Sequence, residues 1–135
     1  MNSIGTLLAA MTLEEKIGQL TMAAAGYAVT GPVLASGVIG GIRAGRIGSL
    51  LNIWGSREVH AVQKIAVEKT RLGIPLLIGF DVLHGHRTIF PIPLAEAASF
   101  DPPLWERSAR EAAIEAAADG IAVTFAPMLD IARDP

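Results

Sequence analysis

The 135-residue chain has a formal net charge of −2, no cysteine, and 51% hydrophobic against 18% charged residues. It is long enough for one domain with a modest core, and its charge gives no indication of a nucleic-acid or anionic-membrane partner. The lack of cysteine excludes disulfides, thiolate metal sites and cysteine nucleophiles.

The chain is unusually apolar for a domain of its size. Its mean hydropathy is +0.45, whereas ordinary soluble domains carry about 25% charged residues. Abundant Ala and Gly explain part of this, because Ala raises the apolar count without making a sticky surface. The alternative is that the chain is a piece of something larger that buries part of its surface.

The amino terminus predicts a short helix and no targeting segment. It lacks a basic n-region, and Glu14 and Lys16 soon interrupt its apolar piece, so we expect no signal peptide and leave periplasm and cytoplasm open. No apolar run reaches the roughly 18–20 residues that span a bilayer. Thr12 and Glu15 have capping-box spacing. The helix that they open would carry Leu13, Ile17 and Leu20 on one side.

The remaining chain predicts helices and apolar strands in alternation. Ser56 and Asp101 are expected to cap the two long helices, and Gly73 and Gly120 to end them. The predicted elements, in chain order, are a short helix at 33–43, a strand at 47–52, a helix at 56–70, a strand at 74–80, a helix at 101–119 and a strand at 121–129.

This order favours an α/β fold with parallel strands covered by helices. In such folds the functional site lies beyond the carboxyl ends of the strands. The polar and aromatic residues that follow the three predicted strands are Asn52 and Trp54, then Asp81, His84, His86 and Arg87, and finally Asp130, Arg133 and Asp134.

Asp81 comes straight after Phe80 at the end of a buried strand, where an ionised carboxylate needs hydrogen bonds or a cation. One interpretation is structural, with Asp81 accepting from nearby backbone N–H groups or pairing with Arg87. The other is a carboxylate that grips a ligand by accepting hydrogen bonds from hydroxyls, as sugar sites require.

His84, Gly85 and His86 form an H-x-H pair, which on an extended strand could reach one metal and which resembles the metal-dependent amidohydrolases. Gly85 and the Pro-rich continuation indicate a loop instead, and no further ligand has matching spacing. We therefore predict no metal here, and expect one imidazole to hydrogen-bond a carboxylate or a backbone carbonyl. Phe90 and Ile92 are expected to tuck under this loop.

Three segments together, "MTLEEKIGQL", "IPLLIGFDVLHGHRTIFPIPLAEAASFD" and "APMLDIARDP", resemble the N-terminal barrel domain of family 3 glycoside hydrolases, especially the bacterial periplasmic-type β-glucosidases. The resemblance covers almost the whole chain in the right order. It implies a (β/α)8, TIM-like barrel. Because such a barrel needs about 250 residues, residues 1–135 would be its N-terminal half, incomplete at the C-terminus.

The resemblance also implies retaining, exo-acting hydrolysis of terminal non-reducing β-D-glucosyl residues without a cofactor. Asp81 matches the Asp of the family's "D-x-x-H-G" segment, which grips the sugar in the −1 subsite. The residues assigned to shaping the site are His84, Gly85, Arg87, Asp130, Arg133 and Asp134. The family's nucleophile Asp and acid/base Glu match no residue here and are expected downstream.

Three functions stay open from the sequence. The first is a segment of a β-glucosidase, with β-xylosidase not separated from it. The second is an inactive fragment that acts at most as a weak sugar-binding or interaction module, and the third is a metal-dependent hydrolase that uses the H-x-H pair. The expected partners of the first are a β-glucoside or β-linked oligosaccharide and the remainder of the same enzyme covering the open barrel, with a homo-oligomer as a further option.

Overall fold

The computed structural model describes residues 4–28, 31–129 and 131. The helices in these residues are α1 (Ile4–Ala10), α2 (Leu13–Gln19), α3 (Ser36–Arg43), α4 (Ser56–Glu68), α5 (Pro93–Ala98) and α6 (Pro102–Ala118). The strands are β1 (Met22–Ala24), β2 (Gly26–Ala28), β3 (Gly31–Val33), β4 (Ser49–Leu51), β5 (Leu77–Phe80) and β6 (Val123–Thr124). No helix within the described residues is long and apolar enough to cross a membrane.

A four-stranded parallel sheet organises the fold, with strand order β1-β4-β5-β6. Its register places Ala24, Leu51, Gly79 and Val123 side by side. The parallel α/β prediction is thereby confirmed, and its three strands correspond to β4, β5 and β6. The sequence did not predict β1, because two of its three residues are alanines, which are depleted in strands. The antiparallel hairpin of β2 and β3 follows β1 directly.

Helices cover one face of this sheet. Leu50 of β4 and Ile78 of β5 are fully buried and pack among residues of α3 and α4. Burying a side chain of this size contributes about 2 kcal/mol. The other buried members of this core are Ala25, Ile42, Ile53, Val59, Val62, Ala66 and Leu76. A second cluster joins Val82 and Ile121 to Ala112 and Ala116 of α6 on the same face.

The opposite face of the sheet, called the bare face below, leaves its large apolar side chains about half exposed in the described structure. Met22, Leu77 and Phe125 are 45%, 56% and 49% exposed. A side chain added at Gly79 would contact the Phe125 ring at 3.4 Å and the end of Met22 at 3.7 Å, so these residues share one face. In the described residues the core helices pack on one face of the parallel sheet, which is typical of a barrel wall, whereas a doubly wound sheet carries helices on both faces.

The predicted helix ends are mostly confirmed. Thr12 and Glu15 make both capping-box bonds, at 2.9 and 3.2 Å. Asp101 accepts from the Leu104 N–H at 3.1 Å, and Gly120 follows α6 with a φ of +85°. Ser56 is the first helical residue and not the cap, because Gly55 occupies the cap position with a φ of +98°.

Leu13 and Ile17 of α2 are exposed, as is Leu20 just beyond it. One expectation about packing is wrong. Ile92 was expected to tuck under the polar loop and is 54% exposed, because it directly precedes α5 as its cap residue. Phe90 does pack against the α6 cluster, as predicted.

Candidate functional site

The carboxyl ends of β4 and β5 form one edge of the sheet and carry the candidate residues. Asn52 follows β4 with a φ of +64°, and its N–H donates to the Gly79 carbonyl of β5 at 3.1 Å. Asp81 follows β5 directly. The remaining predicted site residues, Asp130, Arg133 and Asp134, lie outside the described residues.

Strand alternation assigns the side chain of Asp81 to the bare face of the sheet. Phe80 and Val82 both belong to the cluster that packs against α6, so the residue between them points away from the helices. Asp81 is exposed. Within the described residues no group donates a hydrogen bond to its carboxylate, so that carboxylate is open to water or to a ligand.

The suggested ion pair between Asp81 and Arg87 is wrong. The Arg87 guanidinium binds Asp119 with two hydrogen bonds, from Nε to Oδ2 at 2.9 Å and from Nη2 to Oδ1 at 2.7 Å. The sequence did not associate these two residues because they lie 32 positions apart. Because Arg87 pairs with Asp119, it is not the cation that would give Asp81 a purely structural role.

Two hydrogen bonds between its end residues close the segment 84–90, called the His84–Phe90 loop below. The Phe90 N–H donates to the His84 carbonyl at 2.8 Å, and His84 Nδ1 donates to the Phe90 carbonyl at 3.0 Å. Gly85 has a φ of +111°, and a Cβ there would lie 2.0 Å from the Thr88 carbonyl oxygen. Only glycine fits at this position of the loop, because any other residue would strain the backbone and clash with Thr88.

Asp119, at the carboxyl end of α6, fastens one side of the loop. Besides its two bonds with Arg87, it accepts from His86 Nε2 at 2.7 Å. The Asp119 and His86 side chains are 7% and 4% exposed. The hydrogen bonds from Arg87, and next those from His86, hold the pKa of Asp119 below its ordinary value of 3.8, and they outweigh burial, which acts in the opposite direction.

Glu115, one helical turn earlier, fastens the other side. Its Oε2 accepts from the backbone N–H groups of Arg87 and Thr88 at 2.9 and 2.8 Å, and its Oε1 accepts from Thr88 Oγ1 at 2.6 Å. The hydrogen bonds from Thr88 are the main reason that the pKa of Glu115 lies below its ordinary value of 4.5. Glu115 and Asp119 together are called the α6 clamp below.

Aromatic rings enclose His86. The rings of Trp54 and Phe80 meet it edge-on, with centroids 6.1 and 5.4 Å away. The Arg87 guanidinium lies 5.8 Å from the centre of the Trp54 ring, a cation–π distance. The buried Nδ1 of His86 has no hydrogen-bond partner in the described part of the chain.

The expectation that an imidazole of the H-x-H pair bonds a carboxylate or carbonyl is confirmed for both residues. His84 bonds a backbone carbonyl and His86 bonds Asp119, so the two rings serve different partners. Among the described residues no group of three or more potential ligand side chains could hold a metal ion. In the described part of the chain, the metal-dependent interpretation therefore finds no set of three ligands.

The sequence analysis missed Glu115 and Asp119, the two carboxylates that bind the His84–Phe90 loop. A signal was available for Asp119, because a carboxylate at the carboxyl end of a helix opposes the helix dipole and requires a cation nearby. Glu115 offers no such signal, since its partners are mostly backbone N–H groups that only the folded loop presents.

Comparisons with known proteins agree on one family. The family profile described as Glycosyl hydrolase family 3 N terminal domain matches residues 12–135. The chain is similar to the periplasmic beta-glucosidase of Salmonella typhimurium, with 40% identity over 129 residues that cover 96% of this chain and 16% of that protein. It is also similar to a putative beta-xylosidase of Formosa agariphila, with 30% identity over 98% of this chain and 19% of that protein.

Solved structures give the same result. The beta-glucosidase from Listeria innocua in complex with isofagomine superposes with a TM-score of 0.79 at 37% identity, covering 99% of this chain and 19% of that one. Its complex with glucose gives a TM-score of 0.79 at 36% identity, covering 96% of this chain and 19% of that one. The chain thus spans between 16% and 19% of the length of these relatives.

Proposed function

Because the chain belongs to glycoside hydrolase family 3, we propose that it forms part of a retaining, exo-acting β-glucosidase and supplies Asp81 to the −1 sugar subsite. The observation that carries the proposal is the Asp81 carboxylate, exposed and without a donor in the described residues, at the carboxyl end of β5 on the bare face. That is where a barrel binds its substrate. The complexes of the Listeria relative with isofagomine and glucose support a sugar ligand.

The chemistry gives Asp81 a binding role. Its oxygens accept hydrogen bonds from sugar hydroxyls, and such bonds strengthen as charge develops at the anomeric carbon. A retaining site also needs a nucleophile and an acid/base carboxyl about 5–5.5 Å apart. Glu115 and Asp119 serve neither role, because their oxygens are engaged by the His84–Phe90 loop. We assign both catalytic carboxyls to the part of the enzyme outside this chain.

The same proposal explains why one face of the sheet is exposed in this chain. In this proposal the four-stranded sheet is half of the wall of a (β/α)8 barrel, made of β1, β4, β5 and β6. The remainder of the enzyme then pairs with the edge strands β1 and β6 and covers Met22, Leu77 and Phe125. Residues Asp130, Arg133 and Asp134 would then line the floor and rim of the same mouth.

A hybrid enzyme tests the proposal, made by replacing the matching N-terminal segment of the Listeria β-glucosidase with this chain. We expect the hybrid to release the chromophore from an aryl β-glucoside and to retain the stereochemistry at the anomeric carbon. An aryl β-xyloside assayed alongside separates the two specificities found among the relatives. A correctly folded but inactive hybrid would contradict the proposal.

Within the hybrid, Asp81→Ala should lower kcat/KM at least about 100-fold, the size of effect seen when one transition-state hydrogen bond is removed. Glu106→Gln is the matched control, because Glu106 lies in an exposed i,i+4 pair with Arg110 on α6. A kcat/KM for Asp81→Ala within about threefold of the parent would contradict a substrate-binding role.

A further inference from the structure

We propose that Asp119 is a positioning residue for the sugar site: it acts on Asp81 through the His84–Phe90 loop, assisted by Glu115. The inference rests on the proposed function and adds the α6 clamp to it. Neither Glu115 nor Asp119 needs to touch the substrate. Their role is to fix the loop that follows Asp81, the residue that binds the sugar in the proposed function.

The contacts are concentrated on one short stretch. Each clamp carboxylate accepts three hydrogen bonds, and all six come from residues His86, Arg87 and Thr88. The loop closes on itself through His84 and Phe90, which fixes its shape, and the packing of Phe90 against the α6 cluster holds only its far end. The clamp fixes the orientation, because it binds the loop to an element outside it.

The element that carries the clamp is rigid. Helix α6 has 17 residues, a side-chain cap at Asp101, and a buried stripe of Ser108, Ala112 and Ala116. Side chains held on such a helix keep a site in place better than side chains on a loop. Asp119 lies at the end where the helix dipole disfavours a carboxylate, so its position is not explained by capping α6.

His86 extends the coupling to a second strand end. Its ring bonds Asp119 and makes T-shaped contacts with Trp54 after β4 and Phe80 at the end of β5. Phe80 directly precedes Asp81. A shift of His86 away from Asp119 would therefore disturb packing next to the binding carboxylate as well as the loop beyond it.

Asp119→Asn is the sharpest variant. In the native chain both oxygens of Asp119 face Arg87 donors, Oδ2 facing Nε and Oδ1 facing Nη2. An asparagine of the same shape must turn its NH2 group toward one of them, so a donor meets a donor in either orientation. The variant disrupts the clamp without opening a cavity.

The test is a double-mutant cycle in the hybrid enzyme. We expect Asp119→Asn to lower kcat/KM about 10- to 100-fold, the cost of misplacing a reacting group by about 1 Å. In the Asp81→Ala background the same change should alter kcat/KM by less than about twofold, because Asp119 then has nothing left to position. Glu106→Gln should be neutral in both backgrounds.

The outcomes separate the two claims. A neutral Asp81→Ala contradicts the proposed function. A large Asp81→Ala effect, with Asp119→Asn costing the same factor in both backgrounds, overturns the positioning role alone, because a residue that is merely structural acts independently of Asp81. If Asp119→Asn prevents folding, Glu115→Gln in the same cycle decides, with a smaller expected loss because an amide oxygen still accepts.

A second measurement uses the 135-residue chain itself. Asp119→Asn should speed hydrogen exchange of the backbone amides of residues 82–90 at least about tenfold, because local opening then becomes easier, while Glu106→Gln should leave that exchange unchanged. Unchanged exchange in Asp119→Asn would overturn the proposal whether or not the hybrid is active.

Discussion

Gly85 shows how one residue sets the shape of the site. Its φ of +111° and the 2.0 Å approach of a Cβ to the Thr88 carbonyl exclude any side chain. The closed loop that Gly85 allows brings His84 and Phe90 together. It also places His86 and Arg87 beside α6. The glycine of the H-x-H pair therefore serves loop closure, which agrees with the absence of a shared partner for the two imidazoles.

Replacement of this glycine should destabilise the fold. We expect Gly85→Ala to lower the free energy of unfolding by at least about 1–3 kcal/mol from backbone strain, with the clash against Thr88 adding to it. Gly40→Ala is the matched control, because Gly40 lies in α3 with no atom within 4 Å of its Cβ position; there alanine should be stabilising by about 0.5–1 kcal/mol. Urea unfolding measures both, and equal effects would contradict the loop geometry.

At the scale of elements, the site depends on the junction between α6 and the loop that follows β5. Three elements meet at His86, with the end of β4 contributing Trp54 and the end of β5 contributing Phe80. The junction is polar and partly buried, so each of its groups needs a partner. Because its acceptors are carboxylates, its strength depends on pH.

The lowered pKa values of Asp119 and Glu115 fix the direction of that dependence. A carboxyl whose pKa is lower in the folded chain stabilises the fold fully above its unfolded pKa, and the stabilisation is lost as the pH falls through the folded value. We therefore expect the free energy of unfolding to decline as the pH drops below 4.5 and 3.8, the ordinary values for Glu115 and Asp119.

A variant assigns the decline to the clamp. Asp119→Asn should be less stable than the parent by about 2–3 kcal/mol at neutral pH, and the difference should shrink below pH 3.8. Gly40→Ala changes no titratable group, so its offset from the parent should stay constant with pH. A difference for Asp119→Asn that is equally large at pH 7 and pH 3 would show that the hydrogen bonds to Arg87 and His86 do not stabilise the fold.

At the scale of the whole molecule, helices cover one face of the sheet and leave large apolar side chains exposed on the other. Parallel sheets are normally buried on both faces. Here Met22, Leu77 and Phe125 stay about half exposed, and β1 and β6 are edge strands. Bare apolar faces and unpaired edges both favour association with other chains.

The isolated 135-residue chain should therefore associate, and it should not hydrolyse a chromogenic β-glucoside. Inactivity follows because a single gripping carboxylate cannot both attack the anomeric carbon and protonate the leaving group. Leu77→Thr should reduce the associated fraction measured by light scattering. The control Val67→Thr should not, because Val67 is similarly exposed, at 47%, but lies on α4 on the other side of the sheet. A stable, active monomer would contradict both expectations.

The sequence by itself determined the alternation of strands and helices, the parallel sheet and the position of Asp81 at a strand end. These features are local: apolar runs, capping residues such as Thr12 and Asp101, and glycines at helix ends are legible within a few positions. The family motifs around "DVLHGHRTIFP" added the expected chemistry. Strand β1 was missed because two of its three residues are alanines, which have a low preference for strands.

Only the tertiary structure decided which partners the polar residues take. Arg87 could pair with Asp81 six positions away, yet it pairs with Asp119, 32 positions away, because folding brings the end of α6 beside the loop. The same holds for Glu115, whose partners are backbone N–H groups that a sequence carries at nearly every position. Partner choice depends on distance in space, and a sequence records that distance only for near neighbours.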